Sequence, residues 1–122
     1  MAKKHNPRFL NIVENARKEI SECLASDLLE LVEQGAVVID VREKHEFESG
    51  HFSGAVHIGK GVIERDIEKF DFSTSTKLVL YCGGGFRSAI AAKSLKEMGY
   101  ESVISLWGGW RGILAEGLKT TK

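Results

Sequence analysis

The sequence predicts an α/β fold built on a mainly parallel sheet, and three observations carry that prediction. Val37-Val38-Ile39, Lys77 to Tyr81 and Val103 to Leu106 are short, almost uniformly apolar runs. Strands of that kind are covered on both faces, whereas one-sided strands alternate. Stretches with apolar residues at three-to-four spacing lie between these runs, and strands alternating with helices call for a parallel sheet. The chain has 122 residues, 43% hydrophobic and 28% charged, which suits one folded domain with one core.

After Pro7, the only proline, Phe9, Ile12, Val13, Ala16 and Ile20 fall on one face of an amphipathic N-terminal helix. Ser26 or Asp27 is placed to cap a second short helix carrying Leu28, Leu29, Leu31 and Val32. Glu30 would complete a capping box with Asp27, and Gly35 closes the helix. The Val37 to Ile39 strand runs into Asp40-Val41-Arg42, and Glu43 to Glu48 reads as a helix stopped by Gly50. Ala55 to Ile58 is a short strand, Val62 to Phe70 a helix, and Lys77 to Tyr81 a fully buried strand. Gly83-Gly84-Gly85 breaks that strand. Helical spacing resumes from Ser88 to Met98 through Ala91, Ala92 and Leu95, and Gly99 ends it. Val103 to Leu106 is the last strand, followed by Gly108-Gly109 and a helix around Trp110 to Leu118.

Lysine plus arginine and aspartate plus glutamate both number 17, so no bulk field attracts nucleic acid or an anionic membrane. Neither is expected as a partner, and any anion recognition must be local. The apolar runs fall far short of the roughly 20 residues of a membrane span, and the first residues lead into no signal-type apolar core. A cytoplasmic location with Cys23 and Cys82 reduced is the expectation.

Cys82 ends a buried strand just before three glycines and a helix, the place where open α/β sheets bind ligands. Consecutive glycine N–H groups can turn around one point, and the helix start adds unpaired N–H groups and its dipole. Such a cradle favours an anion, a thiolate included, and Arg87 adds a fixed positive charge. Simple packing is the commonest use of a free cysteine, but packing does not call for Gly-Gly-Gly directly after it. A nucleotide loop is a weaker reading: Ser88 stands where the third glycine of G-x-G-x-x-G would be, and no Gly-Lys-Ser/Thr triplet is present.

A wider set of residues is ordered along the chain: Asp40-Val41-Arg42-Glu43, Glu46-Phe47, Gly50-His51, Gly54-Ala55, Tyr81-Cys82, Arg87-Ser88, Leu95, Gly99-Tyr100 and Gly108-Gly109-Trp110. This set resembles the single-domain rhodaneses, a sulfurtransferase family. The resemblance implies a five-stranded, mostly parallel sheet flanked by helices over residues 20–118, with 1–19 as an extra N-terminal helical extension and 119–122 as a C-terminal tail. It implies that Cys82 accepts a sulfane sulfur as a persulfide, with no other cofactor. The donor would be thiosulfate or a related small anion, and the acceptor cyanide, a small thiol or a protein thiol. Backbone N–H groups of Gly83, Gly84, Gly85, Phe86, Arg87 and Ser88 would hold the anion, each well-placed donor being worth ~3 kcal/mol. A non-enzymatic persulfide carrier or interaction module for a partner protein is the first alternative, and a phosphatase or arsenate reductase the second.

Four residues separate Cys82 from Arg87. The resemblance makes this the shorter loop of the sulfur-transferring members; related phosphatases and arsenate reductases use a loop one residue longer. Ser53 and Gly59-Lys60-Gly61 depart from the usual family pattern, where prolines are common.

Other candidates carry weaker signals. Asp40 is expected to be structural. Arg42 is expected to form an ion pair with Glu43 or Glu46, and Lys60 and Arg65 are candidates for the rim of the cradle. His45, His51 and His57, spaced by six, match no zinc-ligand pattern, so no metal is expected; His51 is expected to bond its loop. Cys23 is expected to pack, although it could resolve an oxidised Cys82. Trp107 and Trp110 are expected to pack the last turn, with Trp110 or Phe86 as an apolar wall beside the pocket.

Overall fold

A computed structural model describes residues 5–122. Seven short strands and six α-helices alternate along the chain among the described residues. Five strands form the main sheet: β1 (Ser21–Cys23), β2 (Val37–Asp40), β4 (Val56–His57), β5 (Leu78–Tyr81) and β6 (Val103–Leu106). Their order is β1-β6-β5-β2-β4 and every pairing is parallel. The central register aligns Val38 with Val79 and Val79 with Ile104.

Alternation within the strands divides the core. Ile39, Leu78 and Leu80 face one layer, with Ile63 and Ile67 and, from helix α5 (Arg87–Glu97), Ala91, Ala92 and Leu95. Val38, Val79 and Tyr81 face the other, with Leu28 of α2 (Leu28–Glu33) and Ile113 of α6 (Gly109–Ala115). Both faces are thus covered, which is why the sequence showed continuous apolar runs. The expected N-terminal helix is α1 (Pro7–Arg17), capped by Asn6, whose side chain accepts the Arg8 N–H at 2.8 Å. It lays Val13 and Ala16, both buried, on Ala89 of α5.

The structure adds strands that the sequence pattern does not announce. β1 is only three residues at the sheet edge and mostly exposed, so it has no apolar run to mark it. Residues 119–122, expected to be a tail, contain β7 (Thr120–Thr121), which pairs antiparallel with β3 (His51–Phe52). Pairing across the whole domain, not local pattern, makes both of these strands.

Two local expectations are corrected. Asp27 does not cap α2; its carboxylate accepts the Leu24 N–H at 3.0 Å and closes a preceding 3-10 turn, Ala25–Asp27. The single helix expected over 62–70 is α4 (Ile63–Asp66) between two 3-10 turns, the second ended by Asp71 in the left-handed region. Between β2 and β3 lies α3 (Lys44–Ser49), with Glu46 accepting the Glu43 N–H at 3.0 Å.

Candidate active site

Strand β5 delivers Cys82 to the carboxyl edge of the sheet, at its centre, with only 1% of the residue exposed. The chain then wraps around the sulfur. Sγ accepts the Gly85 N–H at 3.2 Å and the Ser88 N–H at 3.4 Å, and the Ser88 hydroxyl lies 3.6 Å away. That hydroxyl is paired at 2.8 Å with the hydroxyl of Ser105 on β6, and both serines are fully buried. Buried hydroxyls need partners, so each serine fixes the other in place.

The carbonyls of the loop are tied down on the outside. Trp110 N–H donates to the Cys82 carbonyl at 2.7 Å, Arg111 N–H to the Gly83 carbonyl at 3.3 Å, and the Arg17 guanidinium to the Gly85 carbonyl at 3.4 Å. A trans peptide carries its N–H opposite its C=O, and the described chain has no cis bond. Holding those three carbonyls therefore turns the N–H groups of Gly83, Gly84 and Phe86 the other way, and these residues line the recess. Two glycines are required by this geometry. Gly85 has φ +94°, and a Cβ on Gly109 would collide with the Cys82 carbonyl.

Above Cys82 opens a recess of about 640 Å³, lined by His5, Asn6 and Phe9, by Cys82, Gly83, Gly84, Phe86 and Arg87, and by Glu46 and Arg111. Arg87 Nη2 lies 3.7 Å from Glu46 Oε1, so its charge is partly balanced, and it reaches over Gly83. Arg111 reaches over Gly84. The arrangement offers one sulfur nucleophile, a ring of N–H donors and two guanidinium groups at the rim.

A family model described as Rhodanese-like domain matches residues 24–116. The chain belongs to that family. Among relatives, it is 34% identical over 83 residues to the thiosulfate sulfurtransferase GlpE of Haemophilus influenzae, covering 68% of this chain and 77% of that one. It is 37% identical over 86 residues to a tRNA uridine(34) hydroxylase of Listeria welshimeri, covering 65% of this chain but 26% of the hydroxylase. The chain spans from 22% to 77% of the length of the first curated relatives it matches. Of solved structures, a Rhodopseudomonas palustris protein of unknown function, described as a possible tyrosine phosphatase, superposes with a TM-score of 0.84 at 26% identity. The match covers 99% of both chains. The rhodanese-like fold thus includes a counterpart of the N-terminal helix in that neighbour.

The remaining candidates fall outside the rhodanese-like recess. Asp40 and Arg42 form a buried bidentate pair, with Arg42 Nη2 at 2.8 Å from Asp40 Oδ2 and 2.6 Å from the Gly50 carbonyl. Arg42 therefore pairs with Asp40, not with the expected Glu43 or Glu46, because both side chains leave the same strand end into the core. Burial disfavours its charge, yet the hydrogen bonds and charge of Asp40 win and hold its proton more tightly than usual. Its guanidinium stacks over Trp110, 4.6 Å from the ring centroid. Tyr81 is not part of the site; its hydroxyl accepts the Phe52 N–H at 3.1 Å, and burial, then the Asp40 charge, pushes its ionisation to higher pH than usual.

Lys60 and Arg65 do not reach the rim. Lys60 sits in a turn held by its N–H to the Val41 carbonyl at 3.0 Å, and exposed Arg65 pairs with Asp66 at 2.8 Å. His51 Nδ1 and His57 Nε2 each face a backbone carbonyl at 2.8 Å, of Phe47 and Arg42. A carbonyl only accepts, so both rings donate and serve as loop struts. Trp110 stacks with Tyr81 away from the recess, leaving Phe86 as the apolar wall, and Trp107 is half exposed under the Arg17 guanidinium.

Sequence reasoning missed Ser105, Arg111, Glu46 as a recess residue, and the three N-terminal residues. Ser105 left one signal, a small polar residue inside an otherwise apolar strand. His5, Asn6 and Phe9 left none near Cys82, since they are brought there only by the packing of α1 on α5.

Proposed function

We propose that the chain is a sulfurtransferase that moves a sulfane sulfur from thiosulfate or a related donor to a thiophilic acceptor through a Cys82 persulfide. The observation that carries this reading is the sulfur itself, buried and accepting the N–H groups of Gly85 and Ser88 from a loop whose carbonyls are held outward.

The Cys82 thiolate attacks the outer sulfur of thiosulfate. The S–S bond of the donor breaks, and sulfite leaves with the electron pair. The loop N–H groups stabilise the charge on the transferred sulfur, each at roughly 3 kcal/mol for a donor aimed where charge develops. Arg87 and Arg111 draw the dianion in and hold the departing sulfite. An acceptor thiolate or cyanide then attacks the terminal sulfur, and the electron pair returns to Sγ. No metal and no proton-transfer residue enters these steps.

Oxyanion hydrolysis is the competing reading, favoured by the likeness to the Rhodopseudomonas palustris structure. Against it stand the short loop, with four residues between Cys82 and Arg87, and the lack of an unpaired acid for the leaving group among the described residues that line the recess. Of these, Glu46 is the one carboxylate lining the recess, and it faces Arg87.

The test is the intact mass of reduced protein after incubation with thiosulfate, beside Cys82→Ser, with sulfite followed in the same samples. A gain of one sulfur atom that cyanide removes as thiocyanate, absent from the variant, is the expected result. Phosphate release from an aryl phosphate without any sulfur gain would replace this reading by the hydrolytic one.

A further inference from the structure

The N-terminal helix contributes more than cover for α5, because its first residues form a wall of the recess over Cys82. His5 lies 5.2 Å from Phe9 and 4.5 Å from Phe86 between ring centroids, and Phe9 lies 6.3 Å from Phe86. These are contact distances for tilted aromatic rings. Phe86 belongs to the loop itself, so the ring cluster joins the extension directly to the cradle.

The helix behind the wall is anchored along its second half. Val13 and Ala16 are buried against Ala89, and Arg17 reaches from the end of α1 to the Gly85 carbonyl. The same guanidinium lies over Phe86 at 5.2 Å and Trp107 at 4.6 Å from the ring centroids and pairs with Glu22 at 3.3 Å.

The wall and the recess both exceed what thiosulfate needs. A volume of about 640 Å³ is that of sites for organic ligands, commonly about 300–1,000 Å³. A small dianion is served by N–H groups and guanidinium groups, and the negative face of an aromatic ring offers it nothing. An organic group attached to sulfur is what three rings can hold.

We propose that the His5–Phe9–Phe86 ring cluster selects the acceptor, favouring thiols with an aromatic or bulky apolar group next to the sulfur over small polar thiols. This rests on the reading of Cys82 as a sulfur carrier. In the step concerned, the acceptor thiolate attacks the terminal sulfur of Cys82–S–SH. The bond between Sγ and that terminal sulfur breaks, Sγ leaves as thiolate with the electron pair, and the acceptor becomes R–S–SH. Atoms, charge and electrons balance without an added oxidant.

The experiment uses the full chain and the double variant His5→Ala/Phe9→Ala, loaded with sulfur from thiosulfate and freed of excess donor. Discharge is timed by quenched intact mass with benzyl mercaptan and, separately, 2-mercaptoethanol. The readout is the ratio of the two rate constants, which does not depend on the folded fraction. The expected result is a ratio several-fold in favour of benzyl mercaptan that falls roughly fivefold in the double variant, as the loss of one or two ring contacts implies. His5→Phe, which keeps a ring, retains it. A ratio unchanged by the double variant overturns the proposal and leaves the sulfurtransferase reading standing. A wild-type chain that gains no sulfur from thiosulfate or from an organic persulfide overturns both.

Discussion

Cys82 and Cys23 stand in matching places, each at the carboxyl end of a strand in one parallel sheet, yet their surroundings oppose each other. Cys82 comes directly after the central strand β5, and its sulfur accepts N–H groups from Gly85 and Ser88. Cys23 ends the edge strand β1, half-buried, with carboxylates for neighbours. Its thiol is pushed up to about 11, first by burial and then by the charges of Asp27 and Glu22. The carboxyl end of a strand is therefore not enough to surround a cysteine sulfur with N–H donors. The next segment of chain decides: three glycines and an 11-residue helix after Cys82, and a 3-10 turn that uses Asp27 to close itself after Cys23.

The sharpest way to break this comparison is to remove each sulfur in turn. Cys82→Ser is expected to abolish sulfur uptake, a loss on the order of ten-thousandfold or more in turnover with thiosulfate and cyanide. Cys23→Ser is expected to stay within about twofold. Equal losses would mean that the two thiols work as a pair.

A third charged strand end, at Asp40 and Arg42, separates architecture from chemistry. Asp40→Asn leaves a buried guanidinium short of its counter-charge, which costs about 3–5 kcal/mol of stability, read as a lower urea midpoint. Turnover per folded molecule is expected to change far less than stability does. A collapse of turnover at unchanged stability would instead move Asp40 into the reaction.

The outer grip on the loop can be loosened at Gly109. Gly109→Ala drives a methyl into the Cys82 carbonyl and displaces the strand end that carries the sulfur. A shift of about 1 Å in a reacting group costs on the order of a hundredfold, so kcat/KM for thiosulfate is expected to fall by about that much. An unaffected rate would show that Sγ, and not the backbone beneath it, sets the geometry.

The smallest effect belongs to Cys23. Its proton is held in the native chain up to about pH 11, whereas an unfolded thiol releases it near the ordinary value of roughly 8.5. Between those limits the native state binds more protons than the unfolded one, so stability falls as pH rises through that window. Thermal melts from pH 8 to about 9.5, below the range in which the buried Tyr81 adds a slope of the same sign, are expected to show this fall, and Cys23→Ala to flatten it. A slope that survives the substitution would assign it to other groups.

Much of the fold was legible in the sequence because its strands are covered on both faces and its helices on one. The runs at Val37, Lys77 and Val103 and the helical spacing after Ser88 appear in the structure where periodicity puts them, to within a residue or two. β1, β3 and β7 were not legible. They are two or three residues long, and they become strands only because a neighbour distant in sequence supplies hydrogen bonds. The same division runs through the site. The segment Cys82 to Ser88 could be read as a cradle, while Ser105, Arg111 and the N-terminal wall could not.

What the sequence determined by itself is what lies within a few residues: a sulfur, three glycines, a helix start, and the apolar periods that place them at the edge of a sheet. N–H groups so close in the chain are all within reach of one atom. What only the tertiary structure decided is which way the loop peptides turn and what faces the sulfur. Arg17 reaches the Gly85 carbonyl across 68 residues, and Trp110 and Arg111 hold two more carbonyls from the start of α6. Arg42 finds Asp40 rather than the helix beside it, and His5 and Phe9 arrive over Cys82. Such contacts leave no local pattern, because their free energy depends on packing between elements that the chain brings together only when it folds.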